Sequence, residues 1–95
     1  MAMITIPKEI LEQMILQANG AVPVEACGIL AGRDGGVEKF YPMTNADNSS
    51  EHFALVPQEQ FAVYKQIRAE GHDRLAVYHS HPETPARPSV APIIR

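Results

Sequence analysis

The sequence contains a single cysteine, Cys27, and no tryptophan. One thiol cannot form an intramolecular disulfide, so the fold does not depend on disulfide cross-links. The chain also lacks a run of about 18 apolar residues, the length that a membrane-spanning helix requires. Residues 1–7 show neither the basic start nor the long apolar core of a signal peptide. We therefore expect a cytoplasmic protein that does not enter a membrane.

An excess of positive charge is absent as well. Eight Lys and Arg residues against eleven Asp and Glu residues give a formal net charge of −3. Domains that bind nucleic acid usually carry a basic patch and a high isoelectric point. The charge balance therefore predicts a small-molecule, peptide or protein partner and no nucleic acid. The 95 residues, 45% of them hydrophobic, are enough for a single domain spanning residues 1–95, with a modest core.

Apolar residues at helical spacing predict two helices. The first runs from Pro7 to Asn19, where proline suits the first turn and Gly20 the end. Its apolar positions are Ile10, Leu11, Met14, Ile15 and Ala18. The second begins at Pro57 and ends near Gly71.

Four short apolar segments predict strands, at residues 26–32, 37–43, 52–56 and 75–79. The turn residues Asp34-Gly35-Gly36 between the first two predict a hairpin. The resulting order is helix, three strands, helix, strand. It predicts an α/β or α+β fold in which helices flank a small mixed β-sheet.

Two histidines, His79 and His81, stand two residues apart at the end of the last predicted strand. Residues i and i+2 of a strand point to the same side, so both imidazoles can bind one metal ion. Imidazole suits zinc, and catalytic zinc sites usually have three protein ligands and a water. On its own, this short motif is more typical of two hydrogen-bonded histidines at a strand exit.

Two further side chains are candidates for chemistry. Glu25 lies directly before the first strand and could act as a general base, although alone it is more simply interpreted as a solvated loop carboxylate. Cys27 could be the nucleophile of a thiol-dependent hydrolase. Its place inside an apolar strand favours a buried structural thiol instead.

Taken together, three segments resemble the JAMM, or MPN-plus, family of metalloproteases: PVEACGILAG at 23–32, HSHP at 79–82 and RPS at 87–89. Distant motifs in the same order are more specific than either motif alone. The resemblance implies a cytidine-deaminase-like fold, one Zn²⁺ ion, and hydrolysis of peptide or isopeptide bonds. It also implies a protein or peptide substrate, such as the C-terminal tail of a ubiquitin-like or sulfur-carrier protein.

The resemblance also implies a role for each matching residue. His79 and His81 would be zinc ligands, Glu25 the general base, and Ser89 a donor that stabilises the oxyanion. The family pattern continues as Ser-x-x-Asp, with the aspartate as third ligand, but here Pro92 stands in that position. Proline has no side-chain donor atom and cannot bind zinc.

The departure at Pro92 leaves several outcomes open. Water, a carboxylate such as Glu83, or a partner chain could complete the zinc ligands, and the alternative is a catalytically impaired MPN-type protein-interaction module. If Ser89 begins a helical turn, residue 92 lies in the first turn, where proline is sterically acceptable, so the departure changes the charge and need not change the backbone. Because Pro92→Asp restores an anionic oxygen ligand, it is expected to raise zinc affinity. By resemblance, the chain corresponds to the N-terminal two-thirds of a full family domain. The sheet edge this leaves exposed predicts a homo-oligomer.

Overall fold

The structure is a computed structural model that describes residues 3–81 and 89–92. Its elements are α1 (Lys8–Ala21), β1 (Cys27–Arg33), β2 (Gly36–Met43), α2 (Pro57–Ala69), β3 (Asp73–His79) and β4 (Ser89–Pro92). The expected α+β class and both helices are confirmed. Within the described ranges, neither helix has the length and apolar character needed to cross a bilayer.

The four strands form one sheet in the order β2-β1-β3-β4, and each neighbouring pair is antiparallel. Where a mixed sheet was expected, the parallel pairing described is confined to an isolated bridge between Thr5 and Gly36. β1 lies between two partners and is buried from Cys27 to Gly32. This central position explains why its sequence is continuously apolar instead of alternating.

The two helices pack on opposite faces of the sheet. Side chains alternate between the faces along a strand. In β1, Leu30 belongs to the apolar cluster that contains Met14 of α1, whereas Ile29 belongs to the cluster that contains Ile67 of α2. The helices therefore flank the sheet, as the sequence predicts.

The predicted turn between β1 and β2 is confirmed. Asp34 and Gly35 both have positive φ, 53° and 79°. Two-residue hairpin turns require this left-handed conformation, which glycine adopts without cost and aspartate tolerates.

Polar contacts join α1 to the two central strands. The Gln17 side-chain amide donates to the carbonyl oxygen of Cys27 over 3.0 Å, and the Tyr78 hydroxyl donates to the carbonyl oxygen of Met14 over 3.2 Å. The Tyr78 hydroxyl also contacts Gln17 Oε1. Burial raises the pKa of Tyr78 above its ordinary value, so the hydroxyl keeps its proton and remains a donor.

The strand expected at residues 52–56 is wrong. This segment belongs to the loop between β2 and α2, and its strand-like pairing is limited to an isolated bridge between Asn45 and Leu55. Side-chain hydrogen bonds from Asn45 organise the loop instead. Local apolar character alone cannot distinguish such a loop from a short strand.

The helical turn expected to begin at Ser89 is also wrong. Residues 89–92 form β4, which pairs with β3 so that Ser89 lies opposite His79 and Pro92 opposite Ala76. β3 pairs with β1 along its other edge, and β4 satisfies backbone groups that the second edge of β3 would otherwise leave unpaired.

Gly32→Ala is expected to destabilise the protein, because a Cβ at this position would overlap the carbonyl oxygen of Gly36 beside the β1–β2 bulge. Backbone cannot swing aside, so we expect a loss near the upper end of the roughly 1–3 kcal/mol that overpacking costs. The matched control is Gly20→Ala in α1, where no described heavy atom lies within 4 Å of the new Cβ. Because alanine is favoured over glycine within a helix, Gly20→Ala should raise the free energy of unfolding by about 0.5–1 kcal/mol. Urea unfolding measures both changes, and equal midpoints would contradict the packing at Gly32.

Candidate metal centre

Glu25 is a buried carboxylate, with 3% of the residue exposed, and the solvated-loop interpretation is wrong. It lies two residues before β1, so strand pairing does not hold its backbone. Instead its N–H donates to the carbonyl oxygen of Ser49 over 2.7 Å, and its carbonyl oxygen accepts from Asn45 Nδ2 over 2.9 Å. Both partners belong to the loop between β2 and α2. They hold the backbone from which the Glu25 side chain extends.

The end of β3 is tied to the start of β1 by Ser80. Its hydroxyl oxygen accepts from the N–H of Ala26 over 2.8 Å, and its own N–H donates to the carbonyl oxygen of Ala26 over 2.9 Å. The serine is buried, and the bond to its hydroxyl is buried as well. This reciprocal pair brings the neighbours of Ala26 and Ser80, which are Glu25 and His79, to the same end of the sheet.

Glu25 and His79 are in direct contact, with 2.6 Å between Oε1 and Nδ1. The His79 side chain is 24% exposed, and its Nδ1 is buried without a hydrogen bond of acceptable geometry to any described residue. The contact is therefore a close approach of two polar atoms, not an aligned N–H···O bond. An unprotonated imidazole nitrogen and a carboxylate oxygen both present lone pairs, and such a pair attracts a cation or a shared proton.

The two histidines are neighbours, as their i, i+2 spacing predicts. The His81 ring lies edge-on to the His79 ring, with 4.7 Å between centroids and 76° between planes. The His79 ring also stacks on the Phe53 ring, with 4.9 Å between centroids and 22° between planes. Phe53 was not singled out from the sequence, because it lies in the apolar segment 52–56 that predicts a strand.

Ser89 meets the site through strand pairing, because its backbone lies opposite His79. Glu83, the carboxylate considered as a substitute ligand, lies outside the described residues, as does Arg87. Pro92 is three residues further along β4, opposite Ala76.

The residues fit part of a zinc site. Zinc binds imidazole nitrogen, and the structure places two imidazoles side by side, one of them with a buried nitrogen that lacks an aligned partner. Among the residues described, however, His, Cys, Asp and Glu do not gather into a group of three or more that could hold a metal ion. The described chain thus offers two neighbouring imidazoles, with the carboxylate of Glu25 in contact with one of them.

Cys27 is close to the site but is not suited to be a nucleophile. It lies opposite His79 in the β1–β3 pairing, is fully buried, and its thiol donates to the carbonyl oxygen of Met43 over 3.8 Å. Burial raises the pKa of the Cys27 thiol to about 11, and the Glu59 and Glu25 carboxylates act in the same direction. The thiol therefore keeps its proton at neutral pH, which argues against a thiol-dependent hydrolase.

An open groove of about 740 Å³ lies at the other end of β3. Its lining residues are Tyr64, Ile67, Arg68, Gly71, His72, Asp73 and Arg74. Asp73 and His79 are the two ends of β3, roughly 20 Å apart. The groove therefore does not belong to the centre around His79.

Comparison with known proteins identifies the family. Residues 7–91 match the model of the prokaryotic homologs of the JAB domain. The chain is 35% identical over 88 residues to the CysO-cysteine peptidase of Mycobacterium tuberculosis, which covers 90% of this chain and 60% of that protein. It is 36% identical over 75 residues to the desampylase of Haloferax volcanii, and this alignment covers 76% of this chain and 54% of that protein.

Two further comparisons agree with these. A probable TtuB-protein conjugate cleaving protease of Thermus thermophilus is 35% identical over 85 residues, which covers 88% of this chain and 57% of the relative. The solution structure of a protein from Desulfitobacterium hafniense superposes with a TM-score of 0.80 at 49% identity, over 92% of this chain and 62% of that one. The chain belongs to the prokaryotic JAB-domain family, the JAMM-type family that the motifs indicated. It spans between 54% and 60% of the length of these curated relatives.

If the two imidazoles bind zinc, as the family resemblance implies, removing either one should weaken zinc binding, because each would supply one ligand. His79→Ala and His81→Ala should each raise the zinc dissociation constant by more than the roughly tenfold to hundredfold that loss of a supporting contact costs. The measurement is a zinc titration against a competing chelator, with stoichiometry on the purified protein. The matched control is His72→Gln, at the other end of β3, which should bind zinc like the wild type. Unchanged affinity in both alanine variants would remove the histidines from the metal site.

Pro92→Asp is expected to leave zinc affinity unchanged, contrary to the expectation from the sequence. In a helix, the Cβ atoms of residues three positions apart, such as 89 and 92, are about 5–6 Å from each other. Three residues along a strand separate them by about 10 Å, which places residue 92 too far from His79 to complete its ligands. The same chelator titration, comparing Pro92→Asp with the wild type at one pH, measures the outcome. A higher affinity of the variant would mean that residues 89–92 form the helical turn when zinc is bound.

Proposed function

We propose that this chain carries the zinc-dependent centre of a JAMM-type metallopeptidase that hydrolyses a peptide or isopeptide bond. The single observation that carries the proposal is the buried carboxylate of Glu25 at 2.6 Å from His79, with the His81 ring beside it. The match to the JAB-domain family supports it. The names of three relatives support it as well: a CysO-cysteine peptidase, a desampylase and a probable TtuB-protein conjugate cleaving protease.

The proposed substrate is a protein joined through its C-terminal tail to a small molecule or another protein. The relatives' names mention CysO-cysteine and TtuB-protein conjugates, and both fit this description. We propose the tail of a ubiquitin-like or sulfur-carrier protein as the acyl side of the bond.

Each proposed residue has a separate task. His79 and His81 would hold Zn²⁺, which when bound supplies a Lewis acid for the scissile carbonyl and lowers the pKa of water. Glu25 accepts the proton of the attacking water as the new C–O bond forms. It then gives that proton to the nitrogen as the C–N bond breaks, which leaves a carboxylate and an amine. Ser89 is assigned to stabilise the oxyanion, because its position in β4 is opposite His79.

The surroundings of Glu25 suit a proton carrier. Its backbone is held on both sides, at the N–H by Ser49 and at the carbonyl oxygen by Asn45. The side chain is enclosed and touches His79, so it does not sample many positions in water. A general base kept in one place loses less entropy on reaching the transition state.

The second candidate is a protein-interaction module of the same fold. It is favoured by Pro92, which stands where the sequence pattern of the family has its aspartate ligand, and by the lack of a three-donor group among the described residues. A module of this kind would bind the carrier protein without cleaving it, and its binding would not depend on Glu25 or zinc.

Location and assembly complete the proposal. A cytoplasmic location is proposed because the chain has one cysteine and no means of forming an internal disulfide. Self-association remains a prediction; the apolar side chains of Leu11, Ile15 and Leu16 on α1, exposed by 38%, 45% and 75%, support it.

Glu25→Gln is expected to abolish hydrolysis while zinc binding persists, because the amide cannot accept and return the proton. The expected loss in kcat is about 10²–10⁴-fold, the usual contribution of a general base. The assay is cleavage of a ubiquitin-like carrier protein extended by a C-terminal peptide, with added zinc, followed by mass spectrometry. Glu12→Gln, on the exposed face of α1, is the matched control and should retain wild-type activity. A zinc-loaded wild type that binds the carrier without cleaving it would replace the peptidase by the interaction module.

A further inference from the structure

We propose that the loop of residues 44–56, here called the Asn45 loop, sets the contact between Glu25 and His79, and that Asn45 is its positioning residue. The loop hydrogen-bonds the backbone of Glu25, and its Phe53 ring stacks on the imidazole of His79. The consequence for zinc binding rests on the proposed function, whereas the effect on the geometry of the pair does not.

The side chain of Asn45 holds the Asn45 loop together from its centre. Its Nδ2 donates to the carbonyl oxygens of Glu25 and His52, each over 2.9 Å, with a longer contact of 3.4 Å to Ser49. Its Oδ1 accepts from the N–H groups of Asp47 over 3.0 Å and Ala54 over 3.2 Å. One side-chain amide therefore links Glu25, two residues before β1, to both halves of the loop.

Glu25 depends on this loop for both of its backbone hydrogen bonds. Its carbonyl oxygen accepts from Asn45, and its N–H donates to Ser49, a residue of the same loop. Because β1 begins only at Cys27, no strand pairing supports Glu25. The Asn45 loop supplies the constraint that a neighbouring strand supplies elsewhere in the sheet.

The same loop orients His79. The Phe53 ring stacks on the imidazole at 4.9 Å. Phe53 stands between His52 and Ala54, and Asn45 hydrogen-bonds the backbone of both. The position of the aromatic ring, and through it the plane of the His79 imidazole, thus follows from the conformation that Asn45 imposes.

The first residue of the loop is anchored to α2. The backbone N–H of Thr44 donates to one carboxylate oxygen of Glu59 over 2.6 Å, and the Thr44 hydroxyl donates to the other over 2.9 Å. The backbone N–H of Ala46 also donates to the carbonyl oxygen of Ala54 over 2.8 Å. The loop is therefore closed on itself and attached to a helix, which allows it to transmit a fixed position.

Asn45→Asp removes the side-chain N–H donors of Asn45 and keeps its acceptor oxygen, so it tests the two kinds of contact separately. The aspartate keeps Oδ1 for Asp47 and Ala54, but it places a carboxylate oxygen against the carbonyl oxygens of Glu25 and His52, where it can only repel. Asn48→Gly is the matched control in the same loop, since glycine keeps the positive φ of 48° that Asn48 adopts.

The test uses NMR on the metal-free protein and then a zinc titration. In the wild type and in Asn48→Gly we expect nuclear Overhauser effects between the Phe53 and His79 rings and a ring-current shift of the His79 carbon-bound protons. In Asn45→Asp both should be lost while the rest of the spectrum stays that of a folded protein. Zinc affinity measured against a chelator should fall about tenfold in Asn45→Asp and not in Asn48→Gly.

Persistence of the Phe53–His79 signals in Asn45→Asp would overturn the proposal. If Asn45→Asp does not fold, Phe53→Leu decides instead: it should lose the ring-current shift and bind zinc more weakly, and unchanged zinc affinity would overturn the proposal. If the wild type binds no zinc, the proposed function fails, but the loss or persistence of the Phe53–His79 signals in Asn45→Asp still decides whether Asn45 positions the pair.

Discussion

Two hydrogen bonds between Ala26 and Ser80 join the start of β1 to the end of β3, and the candidate centre depends on them. Glu25 precedes one partner and His79 precedes the other, so this pair determines that a carboxylate and an imidazole meet. Both bonds use groups that would otherwise be buried and unpaired, a situation that costs about 1–3 kcal/mol for each group. The sheet therefore gains stability from the same contacts that assemble the site.

A buried carboxylate is costly unless neighbouring polar groups compensate for the lost water. At Glu25, two parts of the protein replace the lost water. The Asn45 loop hydrogen-bonds the Glu25 backbone, and the Glu25 Oε1 atom faces Nδ1 of His79. The side chain thus has a polar neighbour on the side of the imidazole, and this is the side on which a cation or a transferred proton would be stabilised. The polar contact that stabilises the buried carboxylate is therefore also the contact on which the proposed function rests.

The sequence predicts α1, α2 and β1 well, because the helical spacing of the first two and the continuous apolar run of the third are local properties. The motif also selects Glu25, His79 and His81, and the structure brings these together, although their roles remain proposals. What the sequence does not reveal depends on contacts between distant residues. Asn45 bonds across 20 positions to Glu25, and Phe53 meets His79 only after the loop has folded. Ser80 is visible in the motif, but its partner Ala26 lies 54 positions away.

The pairing of β4 with β3 has a consequence for the position of Ser89. Ser89 lies opposite His79 because of the register of only four residue pairs, at the edge of the sheet. A slip of one residue would bring Pro88 or Val90 to that position and turn every following side chain to the other face. Such a slip would separate Ser89 from His79 without changing either residue. The place of Ser89 beside the candidate centre is therefore a property of the register between β3 and β4 as much as of the serine itself.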